Sequence, residues 1–176
     1  HPDFVVVPEL EVSAISIGVS QSMSLREYVR LGGNLVVASC GSSHERAFLN
    51  DLFGWSITPA SCASTSKVSN AFNFAGGPRA LSNLNAIRCC STTSLPSEAH
   101  IIYASGGAAS VWVVPVGRGH VVGLAPDFFD TDSDWNDVVR KCTIQWPGAG
   151  VTFDRSCKDC SLGKYSNFSA ASHCAD

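Results

Sequence analysis

Two strand-and-helix units at the start of the chain restrict its fold more than any other feature of the sequence. Each unit begins with a short apolar run of the kind that forms a strand buried on both faces, first Phe4–Val7 and then Asn34–Ser39. Each run is followed by apolar residues at helical spacing, with Ser22 or Ser24 as the cap of the first helix and Ser43 as the cap of the second. Because a helical crossover returns the chain to run in the same direction, these units predict a parallel sheet.

The rest of the domain predicts a hairpin and one more helix. Three further apolar runs, His100–Ala104, Val111–Val116 and His120–Ala125, predict strands, and the glycine turn between the last two predicts a hairpin at one side of the sheet. A cap at 132–134 begins a last helix, whereas the polar segment 56–96 predicts loops with one or two short strands, one of them at Asn85–Cys90. The expected fold class is therefore α/β, with a mostly parallel sheet, helices on both faces and a C-terminal β-hairpin.

The cysteine content points to an oxidising compartment. The chain has eight cysteines among 176 residues, an even and high count that is typical of disulfide-bonded secreted proteins. The sequon at Asn167 offers a glycosylation site, which suits the same secretory route. We therefore expect an extracellular or cell-surface location. The disulfide candidates are Cys40, Cys62, Cys89, Cys90, Cys142, Cys157, Cys160 and Cys174.

Charge and hydropathy exclude two classes of partner. The formal net charge of -3 is spread along the chain without a basic stripe, so nucleic acid is not an expected partner. Glycine, serine and proline interrupt every apolar run before it reaches the roughly 18–20 residues that span a bilayer, so we expect no membrane insertion.

The sequence LVVASCGSSH, residues 35–44, allows two roles for Cys40. A cysteine on a tight turn between a strand and a helix can act as a nucleophile, with a nearby histidine as its base. His44 follows closely in the sequence, but we expect it on the helix that leaves the turn. Eight cysteines in an oxidising compartment favour a disulfide instead. We therefore predict a disulfide at Cys40 and no catalytic residue.

The acidic cluster near the last helix resembles the start of a calcium loop without completing one. Asp130, Asp132 and Asp134 have the spacing of calcium ligands, but Trp135 stands where the loop needs glycine and Lys141 where it needs glutamate. Helix capping explains these acids more simply. Cys157-x-x-Cys160 lacks the second pair of a structural zinc site. We predict neither a metal nor a cofactor.

Four stretches resemble the class I glutamine amidotransferase-like, flavodoxin-like α/β domains of large extracellular proteins: DFVVVPELE, LREYVRLGGNLVVAS, FLNDLFGW and GRGHVVGLAPDFFDTDSDWNDVV. The resemblance implies such a domain over 1–147, incomplete at its N-terminus and with an unpaired sheet edge. It also implies that the catalytic set is lost: in place of the family's Gly-x-Cys-x-Gly turn, Ser39 precedes Cys40 and Ser42 stands at the position of the second glycine, and no His-x-Glu pair follows.

The tail CKDCSLGKYSNFSAASHCAD resembles the cysteine-rich repeats of ephrin-receptor and tumour-necrosis-factor-receptor type. The resemblance implies that 148–176 is a linker with part of such a repeat. The pairings expected from proximity in these folds are Cys160 with Cys174, Cys142 with Cys157, and Cys40, Cys62, Cys89 and Cys90 among themselves. A bridge between the adjacent Cys89 and Cys90 is the less favoured alternative.

These features together predict a non-catalytic structural or adhesive module of a secreted or cell-surface protein. Its expected partners are further copies or other chains of an extracellular filament or matrix assembly. One alternative is an ectodomain that binds glycans or another ligand through Trp55, Trp112, Trp135 and Trp146. The other is a cysteine hydrolase or amidotransferase relative that uses Cys40.

Overall fold

A computed structural model describes residues 4–10, 12–13, 15–82, 88–126 and 132–143. This part of the chain is an α/β domain with a mixed sheet of nine strands and three α-helices. The strands are β1 Phe4–Val7, β2 Asn34–Val37, β3 Pro59–Ala60, β4 Thr65–Lys67, β5 Ala80–Leu81, β6 Cys89–Ser91, β7 His100–Ser105, β8 Ala108–Val116 and β9 Gly119–Leu124. The helices are α1 Val19–Arg30, α2 Ser43–Phe53 and α3 Ser133–Thr143. None of these helices is long and apolar enough to cross a membrane.

The sheet is less parallel than predicted. Its strands lie in the order β1-β2-β9-β8-β7-β4-β5, and β6 pairs with both β3 and β8. Among the described pairs, only β1 with β2 and β2 with β9 are parallel. The prediction of a mostly parallel sheet is therefore wrong, because tight turns rather than helical crossovers connect β7, β8 and β9 and so force antiparallel pairing.

The hairpin of β8 and β9 also lies in a different place from the one predicted. It occupies the middle of the sheet, between β2 and β7, and not one side. The β9 strand leaves the hairpin and pairs with β2 in parallel, from Asn34 opposite His120 to Val37 opposite Gly123. The hairpin thus joins the parallel part of the sheet to the antiparallel part.

Helices cover both faces of the sheet because the side chains of the central strands alternate between two cores. On one face, Leu35, Val37 and Val121 pack with residues of α1 and α2. On the other face, Val36 and Val122 pack with residues of α3. We call these the α1/α2 face and the α3 face.

Local sequence patterns predict the helices correctly but predict their first residues less accurately. The α1 helix begins at Val19 after Gly18, ahead of the predicted serine caps, and α2 begins after Ser42 rather than after Ser43. The α2 helix ends at Gly54, which has φ 70° and supplies the left-handed conformation that closes a helix. These boundaries differ from the prediction by a few residues, since several serines near each start offer similar caps.

Two strand predictions need correction. The β2 strand stops at Val37 instead of Ser39, because Ser39 takes a positive φ of 44° and turns the chain. The described part of segment 56–96 holds four short strands, β3 to β6, instead of one or two. Strands of two or three residues carry no readable periodicity, and pairing with longer strands holds them. The predicted strand Asn85–Cys90 overlaps β6 only at Cys89 and Cys90, while 83–87 lie outside the described residues.

Candidate functional site

The turn that follows β2 lies where ligands usually bind in α/β sheets, at the carboxyl end of the parallel strands. Its backbone N–H groups are already used. Ser39 donates to the carbonyl of Pro126, Cys40 to that of Leu124 and Gly41 to that of Arg88, each at 2.9 Å. Because all three groups donate within the protein, none of them is available to stabilise an oxyanion.

Arg88 and the β6 strand that follows it pack directly against this turn and cover it. An added Cβ atom at Gly41 would lie 2.1 Å from the carbonyl oxygen of Cys89 and 2.6 Å from that of Arg88. Backbone approaches this closely only where the turn has no side chain. The crevice at the end of β2 is therefore filled by the protein itself.

The side chains of Cys40 and Cys90 contact each other in the core that β6 covers. Both side chains have 0% exposure, their Sγ atoms are 3.4 Å apart, and the Cys90 thiol donates to the Cys40 carbonyl at 3.2 Å. Burial, and then the hydrogen bond with Cys90, raise the pKa of the Cys40 thiol well above its ordinary value. A thiol in this environment does not form the thiolate that a nucleophile requires.

Glu45 is a buried carboxylate beside the cysteine pair, and it is not among the residues predicted from the sequence. Its side chain has 0% exposure; Oε1 accepts from the backbone N–H of Leu10, and Oε2 has no partner among the described residues. Its negative charge adds a small further contribution to the raised pKa of Cys40. The sequence does contain a signal for its burial, because Glu45 shares the helical spacing of Phe48, Leu49 and Leu52 on the buried face of α2.

The other described cysteines lie on the α3 face. Cys62 and Cys89 form a disulfide with Cα atoms 5.5 Å apart, so Cys89 is not bonded to Cys90. Cys142 on α3 is buried and bonds to no described cysteine, and burial raises the pKa of its thiol. Its expected partner Cys157 lies outside the described residues, as do Cys160, Cys174 and the sequon at Asn167.

The acidic residues at the start of α3 cap the helix. Asp132 Oδ1 accepts from the backbone N–H groups of Asp134 and Trp135, and the Ser82 hydroxyl donates to Oδ2. The bond from Ser82, and then that from Trp135, lower the pKa of Asp132. Asp130 lies outside the described residues. Within the described ranges, no group of three His, Cys, Asp or Glu side chains is placed to hold a metal ion.

Two of the described tryptophans belong to the core, and the third packs against it. Trp112 and Trp135 are fully buried, on the α1/α2 face and the α3 face respectively. Trp55 is half-buried, and its ring stacks on Phe53 with a centroid distance of 4.6 Å. Trp146 lies outside the described residues.

The comparisons with known proteins give structural similarity at low sequence identity. No family model and no curated protein sequence matches the chain. Among solved structures, an exo-β-1,4-mannosidase from Opitutaceae bacterium strain TAV5 aligns with 80% of this chain at 17% identity and a TM-score of 0.44. A β-galactosidase from Rahnella sp. R3 aligns with 70% of it at 18% identity and a TM-score of 0.48. The chain spans only 23% and 20% of these two enzymes.

These comparisons correct the expected family. The assignment to the class I glutamine amidotransferase-like domains, and that of the tail to the receptor-type cysteine-rich repeats, are wrong: no family model matches, and the similar structures are partial domains of a mannosidase and a galactosidase. The stretch YVRLGGNLVV forms the end of α1, a glycine break and β2. Any helix that leads into a buried strand can use such a pattern, so it identifies local structure and not a family.

Proposed function

We propose that this chain is a non-catalytic structural module of a secreted or cell-surface protein, and that it associates with further copies or other chains of one assembly. The observation that carries the proposal is the closed carboxyl end of β2, where β6 covers Cys40 and all three N–H groups of the turn are used. A site without space for substrate, without a thiolate and without free N–H donors lacks the parts of nucleophilic catalysis.

The sheet edge formed by β1 supports association with another chain. The β1 strand pairs with β2, and no other described strand pairs with it. Phe4 and Val6 alternate onto the α3 face, and each remains 39% exposed. Soluble proteins usually protect an edge strand with charge, proline or a bulge, but Phe4–Val7 is wholly apolar. Such an edge suits the addition of a strand from a neighbouring chain.

Covalent features support the extracellular location. The Cys62–Cys89 disulfide joins the segment after β3 to β6, and bonds of this kind persist in oxidising compartments. The sequon at Asn167 is in keeping with the same route. Strands β1, β2 and β9 form the parallel part of the sheet and lie between the helices. This part of the module suits a flavodoxin-like arrangement.

The association is tested by sedimentation velocity on the secreted chain at micromolar concentration. We expect the unmodified chain to form oligomers and the Val6→Lys variant to be dissociated, because a lysine on the edge strand opposes strand addition. Val68→Lys is the matched control, since Val68 is 60% exposed and lies outside β1; this variant should associate like the unmodified chain. A monomer for the unmodified chain, or equal association of Val6→Lys, would overturn the proposed self-association.

A further inference from the structure

Two adjacent cysteines on β6 serve opposite faces of the sheet. Side chains alternate along a strand, so Cys89 and Cys90 project in opposite directions. Cys89 joins the core of the α3 face and bonds to Cys62. Cys90 joins the core of the α1/α2 face and contacts Cys40. Each cysteine of β6 therefore has its own partner, and the two partners lie on different sides of the sheet.

We propose that Cys40 and Cys90 are joined as a second disulfide in the mature protein, so that β6 is held covalently on both faces. The Sγ atoms are 3.4 Å apart, and a disulfide of about 2.05 Å needs them about 1.4 Å closer, which is within reach of side-chain rotation. Both side chains are fully buried, so no thiol from solvent competes for either sulfur. The remaining described free cysteine, Cys142, lies in the core of the other face.

The reaction is a thiol–disulfide exchange with a small or protein disulfide as oxidant. One cysteine thiolate attacks the oxidant and forms a mixed disulfide, which the second cysteine then resolves. The two cysteine sulfurs lose two electrons to the oxidant, whose sulfurs leave as two thiols carrying the two protons. This step rests on the secretory route in the proposed function, because that route supplies such an oxidant.

The geometry also sets the order of events. Once β6 lies on the turn, Cys40 is inaccessible and its thiol is difficult to ionise. The exchange therefore takes place during folding, before Arg88–Cys90 closes over Gly41. Afterwards the bond holds the cover on the crevice, and its span of 50 positions along the chain restricts the unfolded state.

A peptide map of the Cys62→Ser/Cys89→Ser variant tests this bond without ambiguity. The full-length variant is refolded with reduced and oxidised glutathione, quenched in acid, alkylated and digested with trypsin without reduction. Cleavage at arginine separates the peptide Leu31–Arg46, which contains Cys40, from the peptide 89–118, which contains Cys90. We expect these two peptides to be disulfide-linked. Alkylation of both cysteines, or linkage of Cys40 to any other cysteine, would overturn the proposal.

The unmodified chain gives a second measurement that does not depend on folding of the variant. With both bonds present, Leu31–Arg46, Ala47–Lys67 and Cys89–Arg118 leave the digest as one three-peptide species. Release of Leu31–Arg46 in alkylated form would contradict the second bond. The Cys40→Ser variant is the control, and only the link to Ala47–Lys67 should survive in it. Refolding with glutathione separates this outcome from the proposed function, since neither secretion nor self-association affects the map.

Discussion

The α1/α2 face of the sheet holds a pair of thiols and a carboxylate, whereas the α3 face holds a disulfide and a histidine. On the first face, Cys40, Cys90 and Glu45 are fully buried against helices that follow the parallel strands. On the second, Cys62 and Cys89 are bonded, and His120 accompanies Asn34 with Nδ1 3.1 Å from Oδ1. The α1/α2 face thus holds the residue types of an active site, but β6 covers the turn that carries them.

Residue type and local turn geometry are therefore not sufficient to make a reactive site. Cys40 follows a strand and precedes a helix, as a nucleophile would, yet it is covered by a strand that lies far along the chain. Burial raises the pKa of its thiol, and the negative charge of Glu45 raises this pKa further. Glu45 therefore opposes formation of the thiolate and does not favour it. Both faces are buried, and the comparison between them can be tested by changing what covers each face.

The largest effect should come from opening the α1/α2 core at Trp112. This residue is fully buried and packs edge-on against Trp55 at a centroid distance of 6.3 Å. Trp112→Ala should lower the free energy of unfolding by about 3–5 kcal/mol, measured by urea denaturation. In the reduced protein it should also speed alkylation of Cys40 and Cys90. Trp135→Ala opens the α3 face instead; equal alkylation in both variants would show that the faces are not sealed separately.

Removal of the disulfide on the α3 face should have the next largest effect. The Cys62→Ala/Cys89→Ala variant should lose about 2–4 kcal/mol in urea denaturation, because the unfolded chain regains the freedom of the closed loop. Cys142→Ala is the control, since it removes a buried thiol of the same face that forms no bond among the described residues. A smaller loss in the double variant than in Cys142→Ala would contradict a stabilising role for this bond.

A methyl group at Gly41 tests how tightly β6 covers the turn. Gly41→Ala places its Cβ against the backbone of Arg88 and Cys89, which cannot move aside as a flexible side chain can. We expect a loss of about 1–3 kcal/mol in thermal unfolding. Gly76→Ala is the matched change, because the nearest atom to its Cβ is the Lys141 Nζ at 3.9 Å. Similar melting temperatures for the two variants would mean that the cover is loose.

The smallest effect concerns pH and belongs to the α3 face. Burial, and then the charge of His100, lower the pKa of His120 below its ordinary value of 6.5. The unfolded state therefore binds a proton more readily, so stability should fall as the pH decreases through about 6.5. Urea midpoints between about pH 8 and pH 5 should show this slope, and His120→Gln should reduce it. His100→Gln should keep most of it, because burial is the larger cause; an unchanged slope in His120→Gln would contradict this origin.

The elements that could be predicted are those with a strong local pattern. Phe4–Val7 is confirmed as a strand, although Phe4 and Val6 are exposed at the sheet edge and the strand is not buried on both faces as predicted. The α2 and α3 helices begin close to their predicted caps, because a continuous apolar run or a helical stripe is legible within a few residues. The sequence does not predict β3 to β5, since two or three residues carry too little pattern. It points to Cys40 but not to Glu45, because a single carboxylate in a helix normally faces solvent.

The local elements follow from the sequence alone, because helix periods, apolar runs and glycine breaks act over a few neighbouring residues. Which strands pair, which face each cysteine occupies and what covers Cys40 are set by the folded chain as a whole. Those outcomes depend on contacts between distant segments, such as Arg88 with Gly41 and Cys90 with Cys40. Adjacent cysteines in the sequence separate in space because a strand alternates its side chains, and this separation is visible only once Cys89 and Cys90 are known to lie on a strand.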